Sequence, residues 1–290
     1  MNNLVRAISW DGSVICCAVD STRMVGEAER IHQTSATVTA AMGRLLTASS
    51  MMGSMMKNTE DSVTLRLAGD GPMGAAIAVA EGTGDARCYV VNPVVEIPLN
   101  QYGKLDVAGA VGKKGTLSVV KEVGLPEPVM SHSPIVSGEV AEDITYYYAM
   151  SEQVPTVCGL GVLVNPDLSV KAAGGYLIQL LPGADESAID QIEKNVNALP
   201  PVSQMFDEGM TAQQVAFRAL EGLEPQILDE RVVSYRCNCS RERVERALVS
   251  IGAEELMRLA EEQKVTEVDC HFCNKKYRFN SDELRNLIQK

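Results

Sequence analysis

Four cysteines in two tight pairs, Cys237-Asn238-Cys239 and Cys270-His271-Phe272-Cys273, stand thirty residues apart near the end of a 290-residue chain. Each pair can turn two thiolates inward from one bend, and two such bends suit a single tetrahedral four-cysteine zinc site with Zn–S distances of ~2.3 Å. One zinc per chain is therefore expected, with Cys237, Cys239, Cys270 and Cys273 as its ligands. The Cys-x-Cys pair departs from the usual Cys-x-x-Cys knuckle, so the unit is not a standard zinc ribbon. His271 could replace one thiolate, although four cysteines already fill the shell.

The residues around the ligands read as a small folded unit. Ser240 can cap a helix on which Val244, Leu248 and Ile251 share a face; Gly252 interrupts it, and Leu256, Leu259 and Ala260 resume it. Tyr277-Arg278-Phe279 alternates like a short strand, and 281–288 reads as a terminal amphipathic helix. A unit this small has a thin core and needs a staple, which the metal would supply. Arg236, Arg241, Arg243, Lys275, Lys276 and Arg278 are expected to offset the −2 charge of a zinc tetrathiolate.

The other four cysteines, Cys16, Cys17, Cys88 and Cys158, are scattered among apolar residues and read as fillers of apolar space; a peroxide-sensing role for Cys16 and Cys17 is the sharper alternative. Clustered cysteines in a reducing compartment point to metal or redox chemistry rather than a disulfide framework. That compartment, the cytoplasm, is the expectation from an N-terminus without a signal-peptide pattern. No apolar run reaches the ~18 residues of a membrane helix.

Charge divides the chain into three. Residues 1–183 carry a net −6, residues 184–230 a net −8, and residues 231–290 a net +2, within a total of −12. A phosphate backbone is repelled by that average field, so general nucleic-acid binding is disfavoured. Segment 1–183 mixes strands and helices without regular alternation, which favours an α+β class over a doubly wound sheet. Hairpins are expected across Asp11-Gly12 and Asp70-Gly71, and a helix over 34–57 that places Met42, Met51, Met52, Met55 and Met56 in a core or on a surface that adapts to many partners. Further strands are expected at 87–92, 116–121, 157–164 and 175–181, with a helix after Ser137. Segment 184–230 reads as an acidic helical linker, with helices near 186–198 and 212–223. Its Ile189, Ile192, Val196, Val215, Phe217 and Leu220 need the body or a partner to pack on. Segment 231–290 is the expected zinc-binding domain.

Three stretches together carry a family resemblance: the Cys-x-Cys and Cys-x-x-Cys pairs, Glu139-Val140-Ala141-Glu142-Asp143-Ile144-Thr145-Tyr146-Tyr147-Tyr148, and Gly174-Gly175-Tyr176-Leu177-Ile178-Gln179-Leu180-Leu181-Pro182-Gly183. The sequence resembles the heat-shock protein 33 family of redox-regulated bacterial chaperones over its whole length. The resemblance implies an ATP-independent holdase, not an enzyme, inactive while reduced and zinc-bound. Under oxidative stress the four cysteines form disulfides Cys237–Cys239 and Cys270–Cys273, zinc is lost, and tail and linker unfold. Unfolded clients are then held for ATP-dependent foldases, and the activated form is a homodimer. Such neighbour disulfides close only tiny loops and cannot replace a restraint spanning 237 to 273.

Two other classes compete. A zinc-dependent RNA-binding module fits the basic tail but not the acidic total or the 4% aromatic content. A thiol oxidoreductase fits Cys-x-x-Cys, yet no strand–Cys-x-x-Cys–helix setting occurs, and thiolates shared on one zinc leave no free nucleophile. No GxxxxGK[ST] phosphate loop is present, and Gly82-Thr83-Gly84-Asp85 is too short to serve as one.

Overall fold

The Asp11-Gly12 turn joins β1 (Asn3–Ile8) to β2 (Val14–Asp20), with Gly12 at φ 73° and the Asp11 carboxylate accepting from the Ser13 amide at 3.0 Å. The structure, a computed structural model, describes residues 3–288. Two helices follow, α1 (Thr22–His32) and α2 (Ala36–Ser54). The Asp70-Gly71 turn then links β3 (Ser62–Gly69) to β4 (Ala75–Glu81), and 82–85 turns the chain into β5 (Ala86–Val90). After a long loop come α3 (Val107–Val111), β6 (Gly115–Glu122), β7 (Val129–Pro134) and α4 (Ala141–Tyr147), which ends in a π turn over Tyr148–Glu152. β8 (Thr156–Val164) and β9 (Val170–Leu180) complete the strands of the body.

Segment 184–230 forms α5 (Glu186–Ala198), α6 (Val202–Asp207), α7 (Ala212–Ala219) and most of β10 (Gln226–Val232). Asp185 caps α5 by accepting from the Ala188 amide, and Thr211 with Gln214 forms a capping box on α7. The strands assemble into two antiparallel five-stranded sheets, ordered β10-β1-β2-β9-β8 and β5-β4-β3-β6-β7.

Alternation on the first sheet explains the layering. Leu4, Cys17, Val19 and Leu177 face one core with α1, α2 and the second sheet. Val5, Ala7, Cys16, Ala18 and Ile178 face another, built with α5–α7. Helix α2 is buried almost all round, as a helix between two sheets must be. Met42, Met51 and Met52 lie in its core, and Met55 and Met56 pack against it. Of the acidic segment's apolar residues, Ile192, Val215 and Leu220 are buried on the first sheet, Val196 and Phe217 are half-buried, and Ile189 stays exposed. That segment therefore packs on the body.

Gly174-Gly175 makes this docking possible from both sides. A Cβ on Gly174 would lie 2.1 Å from the Phe206 ring of α6, and one on Gly175 would lie 3.0 Å from Met51 Cε of α2. The 139–148 stretch has its own physical reason. Asp143, wholly buried, accepts from the amides of Val136 (2.8 Å), Ser137 (3.0 Å), Gly138 (3.1 Å) and Val140 (3.0 Å), and so holds Val140 at φ 73°. An unpaired buried N–H costs about 1–3 kcal/mol. Asp143→Ala is thus expected to lower stability by at least about 3 kcal/mol in urea unfolding, and Asp143→Asn by less.

Compact packing divides the chain into Met1–Arg236 and Cys237–Lys290. The division falls a few residues past the charge boundary at 230/231, because 233–236 pair with β5: the Ala86 amide donates to Ser234 O at 3.1 Å and the Arg236 amide to Ala86 O at 2.9 Å. The second unit contains α8 (Arg241–Ser250), α9 (Ala253–Glu262), the hairpin of β11 (Val265–Asp269) with β12 (Lys276–Asn280), and α10 (Ser281–Ile288). Ser240 caps α8, accepting from the Arg243 amide at 3.3 Å. Its core is Leu248, Leu256, Ala260, Tyr277, Phe279, Leu284 and Leu287. Ile251, expected on the buried face of α8, is instead its exposed end residue.

Candidate metal centre

Two bends bring the four tail cysteines together. Cys237 and Cys239 lie in the extended lead into α8. Cys270 and Cys273 lie in the tight turn of the β11–β12 hairpin, where the Asn274 amide donates to Cys270 O at 2.8 Å and the Cys270 amide to Lys275 O at 2.9 Å. Asn274 closes the turn at φ 56°, a left-handed position that asparagine tolerates. The four Sγ atoms all lie within 4.8 Å of one another, with Cys237–Cys270 at 3.7 Å and Cys239–Cys273 at 3.5 Å.

That spacing passes a geometric test. Four sulfurs at ~2.3 Å from a shared tetrahedral ion stand about 3.8 Å apart. The donors are all soft thiolates, which select zinc over hard cations. His271 is not part of the cluster of ligand atoms.

The thiols are electrostatically unequal. Burial and hydrogen bonding to the neighbouring cysteines push Cys237 up, and burial chiefly does the same to Cys273. Burial also opposes ionisation of Cys239, but the Tyr277 hydroxyl, donating to its Sγ at 3.0 Å, and the adjacent thiols outweigh it and lower its pKa. Tyr277 is thereby pushed above the ordinary phenol range. It belongs to the core of this unit, so the core and the sulfur cluster share a residue. No feature of the sequence marked Tyr277 as a partner of the cluster beyond its place two residues into the strand.

The basic residues near the ligands serve mostly elsewhere. Arg241 lies over the Phe279 ring at 4.3 Å and pairs with Glu283 at 2.7 Å; Lys276 and Arg278 both pair with Glu267; Arg236 pairs with Asp85 at 3.4 Å. For Arg236, Arg241, Lys276 and Arg278 the expectation of balancing the sulfur charge is corrected, because carboxylates claim them first, whereas Lys275 lies over the Tyr277 ring at 5.2 Å.

Cys16, Cys17, Cys88 and Cys158 are not members of the sulfur cluster. Cys16 and Cys17 point into the two different cores on either side of β2. Burial pushes the Cys17 thiol up to about 12 and raises Cys16, Cys88 and Cys158 as well. These four are packed into the cores of the first unit, Cys16, Cys17 and Cys88 wholly and Cys158 in part, whereas the tail thiols are only half-buried. Alkylation of the reduced, chelator-treated protein is therefore expected to modify Cys237, Cys239, Cys270 and Cys273 and to spare the other four until denaturant is added. Peptide mass mapping reads the result directly.

A profile of the Hsp33 protein family matches residues 2–280. This chain belongs to the Hsp33 family. Among relatives, the 33 kDa chaperonin of Geobacillus sp. (strain WCH70) is 46% identical over 286 residues, covering 99% of this chain and 97% of that protein. The 33 kDa chaperonin of Bacillus cytotoxicus is 45% identical, with coverage of 99% and 98%. The crystal structure of the HSP33 homologue of Thermotoga maritima superposes with a TM-score of 0.90 at 35% identity, covering 99% of this chain and 98% of that one. The mixed α and β architecture is thus that of an Hsp33 protein. Among the described residues no helix is long and apolar enough to cross a membrane.

Proposed function

We propose that this Hsp33-type chaperone is an ATP-independent holdase switched by oxidation. Supporting this most directly is the convergence of four thiols from two distant bends on one point of a 54-residue unit whose core is only a handful of side chains. When bound, zinc supplies a four-thiolate crosslink between residues 237 and 273. In this reading 1–183 is the chaperone body, 184–230 the releasable linker and 231–290 the redox tail. The reduced protein sits in the cytoplasm with one zinc per chain and its client surface covered.

Oxidation removes the donors. Two thiols forming one disulfide give up two electrons and two protons to one peroxide, which leaves as two waters, so full oxidation consumes two peroxides per chain. Pairing of Cys237 with Cys239 and of Cys270 with Cys273 is taken from the family pattern, since each thiol has the other three within 4.8 Å. The tail then loses its staple, the linker loosens, and the apolar surface beneath α5–α7 becomes available to unfolded clients. The activated form dimerises and passes clients to ATP-dependent foldases. The acidic linker keeps the opened form soluble.

The test is stepwise peroxide treatment of the zinc-loaded protein at mild heat, with zinc release, disulfide positions and co-elution with an unfolded client read on the same samples. All three should rise together, with one zinc per chain and neighbour disulfides. Client co-elution by the fully reduced protein, or disulfides confined to Cys16, Cys17, Cys88 and Cys158, would contradict the reading.

A further inference from the structure

One extended segment, 226–236, closes an open edge of each sheet. β10 pairs antiparallel with β1, from Asn3 opposite Val232 to Ile8 opposite Gln226. The chain then continues beside β5, where Ala86 and Tyr235 form a parallel bridge. The hold is a backbone ladder joined by polar side-chain contacts, Arg6 to Asp229, Asn3 to Glu230, Arg231 to Gly82 O and Ser234 to Asp85. No side chain of β10 is buried, and Ile227, Leu228 and Val232 are openly exposed. The Arg6–Asp229 ion pair is partly buried, its side chains 21% and 27% exposed.

Two anchors lie just beyond β10. Val233 is 1% exposed and plugs a gap between the sheets: a Cβ on Gly84 would lie 2.8 Å from Val233 Cγ1 and 3.5 Å from both Leu4 Cδ1 and Ser54 Cβ. Two residues on, the Tyr235 hydroxyl donates to Cys88 O at 2.9 Å. The next residue but one is Cys237. A strand that buries no side chain of its own, held by a backbone ladder, polar contacts and two anchors at its end, belongs to the low-stability end of a fold, and this one runs directly into the sulfur cluster.

We infer that, once 226–236 lifts away, the bared edges of β1 and β5 receive an extended segment of an unfolded client as an added strand, with an aliphatic side chain in the Val233 gap and an aromatic one at the Tyr235 position. This rests on the holdase reading above. A strand edge recognises main chain through alternating N–H and C=O groups, so it accepts many sequences, while the two sockets favour an aliphatic-x-aromatic pattern. The segment that leaves is the template for the segment that arrives.

The experiment uses the full-length protein, reduced with zinc or oxidised and zinc-free, with and without a chemically unfolded test protein. Amide exchange is followed for 3–8 and for 86–90, and holding is followed by light scattering. Oxidation is expected to speed exchange at both edges by roughly tenfold or more, and client binding should slow it again. A capped peptide of residues 226–236 should compete with the client and restore scattering, and the same peptide carrying Val233→Asp and Tyr235→Asp should not. Holding by the oxidised protein with edge exchange unchanged by client, or with the peptide inert, overturns this inference and leaves the holdase reading standing. Edge protection that returns on oxidation without client, together with self-association, assigns the edges to a second copy and also overturns it. Absence of holding in every state overturns the holdase reading, and this inference with it.

Discussion

Stripping zinc from the reduced protein with a strong chelator is expected to unfold 237–290 and leave the two-sheet core of the first unit folded. A unit of this size rarely draws more than about 3–5 kcal/mol from its core. Structural zinc supplies ~10–16 kcal/mol of apparent binding energy at neutral pH. The seven core side chains of this unit include Tyr277, whose hydroxyl is spent on Cys239, so losing the cluster also strips the core of an ordered member. The core between the two sheets of the first unit, built around α2, has no stake in the metal. Amide exchange should therefore lose protection in α8, α9 and α10 while α2, β2 and β4 stay slow. The sign with pH follows from the same chemistry: thiolates are the ligands, so protonation competes with the metal, and the tail loses stability as pH falls. A tail that stays protected after complete zinc removal would show that its seven-residue core suffices.

Phe206→Asp is expected to open the α5–α7 layer without touching the cysteines. Phe206 is 8% exposed, and its ring lies where a Cβ on Gly174 would stand. Losing a buried aromatic ring costs about 3–5 kcal/mol, and an unpaired buried carboxylate adds to that. Helix α6 is only six residues long and is docked by Val202, Met205 and Phe206, so it has little to fall back on. The reduced, zinc-loaded variant should show fast amide exchange across 186–219 and should hold clients without oxidation. Phe206→Leu, which keeps an apolar plug, should do neither to the same extent. If the layer opens in Phe206→Asp and the reduced variant still fails to hold, the surface beneath α5–α7 is not where clients bind.

Features set by local chemistry were legible in the sequence, and features set by distant pairing were not. The two Asp-Gly hairpins, the cap at Ser240, and the two cysteine bends each carry their signal within a few residues. The exposed strand β10, Gln-Ile-Leu-Asp-Glu-Arg-Val, reads as acidic linker because it buries no side chain, and its partner β1 lies at the other end of the chain. β7 and β11 were missed for a similar reason, being mostly exposed strands defined by their ladders. Helix α1 carries Gly26 at its centre and only three buried residues, too weak a stripe to stand out. For the metal centre, the four thiols were visible in the spacing. The Tyr277 hydroxyl and the diversion of Arg241, Lys276 and Arg278 to Glu283 and Glu267 required the register of β11 against β12.

The most direct test of the oxidation switch is light scattering of a chemically unfolded test protein diluted into this one. Three samples suffice: reduced with zinc, treated with peroxide at mild heat, and peroxide-treated then reduced again with zinc restored. Suppression of aggregation in the second sample alone is the predicted result. Equal suppression in all three would describe a chaperone without a redox switch and would contradict the account.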